Sequence, residues 1–503
     1  MKQRKTTRLL AILFALLMVL PFVLVSCKDD TKPTDNSTSK GGSTADDSRV
    51  PSGIPDTFDY GGKTFTICVA SGGWGSDGDD MWREENSSSA GDPIYDAIIE
   101  RNNKLSEGYG IDLGKPYGLG VQDGAYALIK NSLDSNDGAF QAISTRASDC
   151  VNLALTGYLA DVNEISSINP QNEWWDDKMV NECTLNDKLY FLVGDYRNNE
   201  KEATYAIAFN KSMYARNMND AAFGADGKSL YDIVNAGDWT FDKMVTMASF
   251  VGNDIDGNQK YDENDVYGLS YPQCSYVGFL GAAGIKLGRI NNEADPPMEV
   301  AFNNDKTYGF WRDLIDMTKG NWSFNWHLTT YVAKRFDMFY NNQVLFMADY
   351  MEQIEYLRAG DSNFEFGIVP FPKYDTAQAE YISPVHEYGT NFLCIPIANG
   401  DLENTGYVLE ALNYESMYTL KPAFYDKVLL GNLTRDEESE PMLDLIYKTR
   451  AYDFGLISNW GGFNDRLLLM FNNQNPNMAS TFTSFQARIQ TSIEKAFDQY
   501  EVD

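Results

Sequence analysis

The chain has 503 residues, a formal charge of −31, 43% hydrophobic and 13% aromatic residues. That composition can bury a large core, while the acidic surface repels nucleic acid and anionic lipid headgroups and sets both aside as partners. Two histidines (His327, His386) and six widely spaced cysteines supply no His-Glu-x-x-His and no Cys-x-x-Cys, so zinc sites and a dense disulfide scaffold are not indicated.

The first 26 residues have the layout of a secretory signal. Lys2, Arg4, Lys5 and Arg8 precede an apolar run from Leu9 to Val25, too short for a mature span and ending in small residues. Leu24-Val25-Ser26-Cys27 resembles the lipobox of bacterial lipoproteins. The likeness implies an acylated (palmitate-type) Cys27 as mature N-terminus and an extracytoplasmic protein lipid-anchored to the outer face of the cytoplasmic membrane. Residues 27–57 are rich in Ser, Thr, Asp, Lys and Gly and are expected to form a disordered tether.

A strand is expected at Phe65 to Val69, followed by a Gly/Asp/Ser-rich loop carrying Trp74 and Trp82. Asp92-Pro93 opens a helix with Ile94, Ala97, Ile98 and Leu105 on one side, ending near Gly108. Ile111 and Leu113 begin a further strand, and strand–helix–strand signals a parallel sheet. Then come a helix over 125–133, a strand at Phe140 to Ile143 and a helix at Cys150 to Leu155. Thr204 to Asn210 reads as a strand, and Thr240 caps a helix. Phe336 to Arg358 reads as helix, strand (Val344 to Ala348) and helix. Strands follow at Phe366 to Pro370 and Phe392 to Ile397, then helices at Thr405 to Tyr418 and Phe482 to Tyr500. Gly118-Leu119-Gly120 lacks the third glycine of a dinucleotide fingerprint, and Gly-x-Ser-x-Gly is absent. The aromatic pairs Trp174-Trp175 and Trp322/Trp326 read as core or lobe surface.

Asp254 to Asp265 spans twelve residues with oxygen donors at positions 1, 3, 5, 9 and 12. Ca²⁺ takes six to eight oxygens, and a loop of this length can wrap one ion. The expected ligands are Asp254, Asp256, Asn258, Lys260 (through its carbonyl), Asp262 and Asp265. Gly257 at position 4, Lys260 at 7 and Asp265 at 12 resemble the dockerin-type variant. A structural Ca²⁺ is therefore expected.

Tyr60-Gly61-Gly62-Lys63-Thr64, Gly91-Asp92-Pro93-Ile94, Gly157 to Val162, Ala208-Phe209-Asn210-Lys211, Gly237-Asp238-Trp239-Thr240, Asp254 to Gly268, Phe366 to Pro370 and Leu409 to Leu412 occur in that order. As a set they resemble the extracellular solute-binding proteins of ABC importers, family 1, the maltodextrin-binding-protein-like lipoproteins. The resemblance implies an α/β, two-lobed periplasmic-binding-protein fold of type II-like connectivity, with a ligand cleft between lobes joined by a multi-strand hinge. One lobe would take 58–205 plus 395–455, the other 208–392 plus 460–503. It implies a monomer that binds a sugar or oligosaccharide and hands it to permease transmembrane subunits without being an enzyme. Sugar-binding candidates on cleft-facing strand ends are Trp74, Trp82, Arg146, Asp149, Asp349, Tyr350, Tyr388, Asn391 and Trp460. Thr145 and Ser148 stand where the family's cluster has Trp and Asp. The alternatives are a non-sugar solute such as a peptide, and a secreted glycan-active enzyme, for which no carboxylate pair stands in a recognisable context.

Overall fold

The computed structural model describes residues 49–70, 81–82, 91–119, 124–291, 298–330, 332–360, 364–429 and 438–501. The chain divides into two compact units, Met1–Pro51 and Ser52–Asp503, and every element below belongs to the second. The 1–26 segment, Cys27 and Trp74 lie outside the described residues, and residues 49–57 of the expected tether carry no helix or strand.

Two sheets carry the fold. The first has four strands in the order Asn391–Cys394, Ala142–Arg146, Ile67–Ala70, Tyr117–Gly118. Ile67–Ala70 is parallel to both Ala142–Arg146 and Tyr117–Gly118, and Asn391–Cys394 is antiparallel. The second has five, in the order Ser323–Asn325, Tyr267–Tyr271, Val344–Tyr350, Tyr205–Asn210, Phe366–Val369. Its first three are mutually parallel, and Tyr205–Asn210 runs against its neighbours. Tyr205–Asn210 and Val344–Tyr350 are buried along their whole length, as expected of strands covered on both faces.

The helix Pro93–Tyr109 forms as its sequence dictates. The Asp92 carboxylate accepts the Ile94 and Tyr95 N–H groups at 2.9 and 3.2 Å, and Pro93 costs nothing at the first turn. Gly110 closes it at φ 61, where any Cβ would strike Asp59. The helix ends one residue beyond the expected Gly108. Arg101, fully buried on this helix, donates to Met81 O, to Tyr196 O at 3.1 Å and to Ser416 Oγ at 3.3 Å. Glu410 binds a second corner: its carboxylate accepts Trp174 Nε1 at 2.7 Å, Trp175 Nε1 at 2.9 Å, Asn169 N and Asn172 Nδ2. The Trp174-Trp175 pair is thus core, held by one buried acid.

The lobes are joined by packing as well as by chain. Ile94 and Ile98 share one apolar cluster with Ala206, Phe339, Met347 and Ile368 of the second lobe. Leu443, Ile446 and Tyr447, on the helix Glu440–Lys448, belong to the same cluster. That helix lies within the 395–455 segment expected in the first lobe, yet its apolar face serves the second sheet. Three stretches pass between the sheets, around Asp195–Tyr205, Ser383–Asn391 and Arg450–Asp453. Ser383–Pro384 pairs with Arg450–Ala451, and Thr204 bridges to Val385.

These crossings carry buried charge in matched sets. Asp176 caps the helix Asp177–Cys183, receives Arg450 Nη2 at 2.6 Å and accepts the Tyr452 hydroxyl at 3.0 Å. Burial works to raise the Asp176 carboxyl, but Arg450 beside it outweighs that and holds it below its ordinary range. Lys201 pairs with Glu200 at 2.5 Å and Asp195 at 3.5 Å, and Lys421 with Asp195 at 2.9 Å.

Cys68, Cys150, Cys183, Cys274 and Cys394 are all free thiols. Cys150 lies 3.7 Å from Cys394, its thiol directed at Thr145 O and Phe392 O.

Candidate ligand-binding crevice

In open α/β sheets, ligands sit outside the carboxyl ends of parallel strands. In the first lobe that edge holds Ala70, Arg146 and, directly opposite Arg146, Asn391. In the second it holds Tyr271, Asn325 and Tyr350, with Tyr205 opposite Tyr350.

A chain of rings runs from the second edge through the middle crossing. Tyr205 lies 6.3 Å from Tyr350, Tyr350 lies 5.4 Å from His386, and His386 lies 5.9 Å from Tyr388, centroid to centroid. The Tyr388 hydroxyl donates to Asp465 Oδ1 at 3.3 Å. Burial, then Glu387 and Asp465, push the Tyr388 phenol up, and the Arg146 charge from the first lobe opposes them. Arg146 itself lies 3.6 Å from Asp149. The fold therefore gathers five of the expected residues: Arg146, Asp149, Tyr350, Tyr388 and Asn391.

Asp349 is close to them but fully buried, and its role differs. Its Oδ2 accepts Trp326 Nε1 at 3.2 Å and its Oδ1 accepts the Tyr350 N–H at 3.1 Å. Trp326 is packed against Arg335 and His327. The Arg335 guanidinium lies 4.3 Å from its ring centroid, and the His327 imidazole lies 3.9 Å from it at 21°. Arg335 is fixed by Gln353 Oε1 at 2.8 Å and Val332 O at 2.7 Å. His327 Nδ1 accepts the Gln273 N–H at 3.3 Å, so its remaining nitrogen carries the proton. Burial, reinforced by Arg335, lowers His327 to about 4, and burial lowers His386 to about 3, leaving both neutral at pH 7.

Several buried polar atoms at these edges have no hydrogen-bond partner: Asn198 Oδ1, Thr390 Oγ1 and Asn391 Nδ2 toward the first lobe, Ser275 Oγ and Arg335 Nε toward the second. Asn391 N–H donates to Asn199 Oδ1 at 2.6 Å, which draws the 198–199 turn against Thr390 and Asn391.

Two expected residues stand apart. Trp82 donates to Leu113 O at 3.1 Å under Lys115, level with the start of the Ile67–Ala70 strand and away from its carboxyl end. Trp460, 2% exposed, is wedged so tightly against Gly288 and Gly455 that a Cβ at Gly288 would lie 2.3 Å from its ring. Trp326, expected as core or lobe surface, belongs to the apolar cluster, and its neighbours His327 and Arg335 were absent from the expected site. Their signal is an aromatic–histidine pair directly after the three-residue strand Ser323–Asn325.

The Asp254–Asp265 loop sits at the opposite, amino end of Tyr267–Tyr271. It is closed by the Asn253–Val266 bridge and folded by Gly257 and Gln259 at φ 70 and 63. Carboxylate oxygens of Asp254, Asp256 and Asp265 lie within 4.8 Å of one another, with Asp265 buried. An all-oxygen set of three carboxylates fits a hard divalent cation. Asn258 Oδ1 accepts the Lys260 N–H at 2.7 Å, and Asp262 Oδ1 the Asn264 N–H at 2.8 Å.

No family model matches the chain, and no curated protein matches it. Solved structures do. UgpB from Mycobacterium tuberculosis, in complex with glycerophosphocholine, aligns over 86% of this chain and 98% of its own at 13% identity, TM-score 0.53. UspC from M. tuberculosis aligns over 86% and 100% at 13% identity, TM-score 0.52. A cyclo/maltodextrin-binding protein complexed with maltotetraose aligns over 87% and 97% at 10% identity, TM-score 0.52. The chain has the two-lobed periplasmic-binding-protein fold.

The buried Asp349 gives a test of this geometry. Burial outweighs the Tyr350 and Trp326 hydrogen bonds and the Arg335 charge and raises its carboxyl to about 7. A carboxyl raised on folding keeps a proton that the unfolded chain loses, so its contribution is full below pH 4 and is lost as pH rises to 7. The stability of the native protein, measured against Asp349→Asn by urea unfolding, therefore falls between pH 4 and 7 by up to about 4 kcal/mol. A pH-independent difference would show that Asp349 is not held in this environment.

Proposed function

We propose that the chain is the solute-binding component of an ABC importer, lipid-anchored outside the cytoplasmic membrane through Cys27. It captures a neutral, hydroxyl-rich solute such as an oligosaccharide between its lobes and releases it unaltered to permease transmembrane subunits. The fold supports the binding-protein reading, and the basic start, apolar run and Leu24-Val25-Ser26-Cys27 ending support the anchor.

The observation that carries the ligand class is the mixed character of the unpartnered atoms. Asn391 Nδ2 can only donate, Asn198 Oδ1 can only accept, and Thr390 Oγ1 and Ser275 Oγ can do both. A hydroxyl is the group that answers all three needs. Arg146 is paired with Asp149, and both histidines are neutral. Tyr350, Tyr388 and His327 supply flat faces for sugar rings.

Calorimetric titration with maltotetraose, glycerophosphocholine and a mixed oligopeptide separates the solute classes. The expected result is saturable binding of a saccharide without turnover. Arg146→Ala and Tyr388→Ala each weaken it by roughly 1–3 kcal/mol. Saccharide cleavage, or binding of the peptide alone, overturns the reading.

Replacing Cys27 by Ser should move the protein from the membrane fraction to the soluble one; unchanged membrane retention removes the lipid anchor.

We further propose that Asp254, Asp256, Asn258, the Lys260 carbonyl, Asp262 and Asp265 hold a structural Ca²⁺. The ion would lock the turn between the Phe241–Val251 helix and the Tyr267–Tyr271 strand, away from the crevice. At a hundredfold excess over Kd it adds about 2.7 kcal/mol to stability. A chelator therefore lowers Tm, and Asp256→Ala abolishes that response. Equal melting with and without chelator eliminates the site.

A further inference from the structure

Between the helix Ser275–Ala282 and the crossing strands lies a cavity of about 240 Å³ that the solute reading does not use. Its walls come from the helix Ser275–Ala282, from the crossing strands Ser383–Pro384 and Arg450–Ala451, and from the helix Phe454–Ile457. Val277, Ile285, Ile382, Val385, Leu456 and Ile457 make most of the lining apolar.

The ionisable groups of the wall are nearly all answered. Lys286 pairs with Glu182, and Arg289 lies 3.7 Å from Glu299. Asp453 accepts the Leu287 N–H at 2.6 Å, the Gly288 N–H at 3.3 Å and the Leu456 N–H at 3.1 Å. The Tyr452 hydroxyl donates to Asp176. Glu387 is the exception. It is 5% exposed, its Oε1 accepts Asn464 Nδ2 at 2.9 Å, and its Oε2 has no partner. A buried carboxylate oxygen without a donor costs several kcal/mol unless something supplies one.

We propose that this cavity is a second binding site, for a small apolar molecule bearing one protonated amine. The hydrocarbon body lies on Val277, Ile285, Leu456 and Ile457, and the ammonium donates to Glu387 Oε2. The volume suits a single ring with a short arm. A carboxylate in that place would meet Glu387 with like charge, and a plain hydrocarbon would leave its oxygen unanswered.

Benzylamine, benzoate and toluene are the probes, titrated into the protein and followed by calorimetry and by chemical-shift changes at Ile457 and Val277. Benzylamine should bind saturably, with benzoate silent and toluene at least roughly tenfold weaker. Glu387→Gln keeps the shape and the Asn464 contact but should reduce benzylamine binding to the level of toluene. Ile457→Trp fills the cavity and should abolish both. Because burial raises Glu387 to about 7, benzylamine affinity should fall roughly tenfold or more from pH 8.5 to pH 5.5. Absence of benzylamine binding at millimolar concentration, equal binding by Glu387→Gln, or shift changes confined to Tyr350 and Tyr388 overturns the proposal. Saccharide binding in the crevice is read separately, with maltotetraose, and does not decide this proposal.

Discussion

The buried ionic network at the crossings is the constraint on which the rest depends. Asp176, Arg450, Asp195, Glu200, Lys201 and Lys421 tie the first lobe to two of the three stretches that pass between the sheets. In a chain of charge −31, a buried unmatched acid would be costly, and removing one partner of such a set strands the others. Asp176 shows how economical the arrangement is. One carboxylate caps a helix, receives a guanidinium and accepts a phenol, so the helix start in one lobe and the last crossing are fixed by the same group. The crevice edges are held in register because these crossings are.

Much of the fold was legible in local chemistry. Asp92-Pro93 followed by Ile94, Ala97, Ile98 and Leu105 specifies the Pro93–Tyr109 helix almost to its ends, and Thr240 caps its helix as expected. The strand expected at Phe140 to Ile143 is instead Ala142–Arg146. Ser144, Thr145 and Arg146 look like loop residues, but tertiary pairing with Asn391–Cys394 holds them as strand and buries the first two. The Asp305–Lys319 helix, with Asn304 as cap and Phe310, Trp311, Leu314 and Ile315 on one face, carries an equally clear signal yet is absent from the expected elements.

The site was legible where a residue follows a readable strand. Arg146, Asp149 and Tyr350 were found that way, and Tyr388 and Asn391 as residues leading into one. Trp326 was read as core or lobe surface, and it does belong to the apolar cluster of the second sheet; His327 was given no role, because Ser323–Asn325 is too short to show a period of two and owes its existence to pairing with Tyr267–Tyr271. Trp460 shows a packing that the sequence pattern does not carry. An aromatic in the expected place satisfies the pattern, but the glycines at 288 and 455 let the backbone close over it, and only three-dimensional proximity reveals that.

The unpartnered atoms of the crevice carry an energetic cost. Each buried polar atom without a partner costs about 1–3 kcal/mol, against a total stability of about 5–15 kcal/mol for a typical protein. Asn198, Thr390 and Asn391 on one side and Ser275 on the other are therefore expensive to hold together in a closed, empty molecule. Opening lets water meet these groups. On the proposed function, a solute with several hydroxyls would meet them in a closed form and so convert that penalty into binding energy. The rigid parts of the site sharpen this effect. Trp326 is held by Asp349 and Arg335 before any solute arrives, so little ordering cost falls on the binding step. On the same proposal, closure would be favoured to the extent that the solute satisfies both lobes at once, which is the differential affinity a two-state clamp requires.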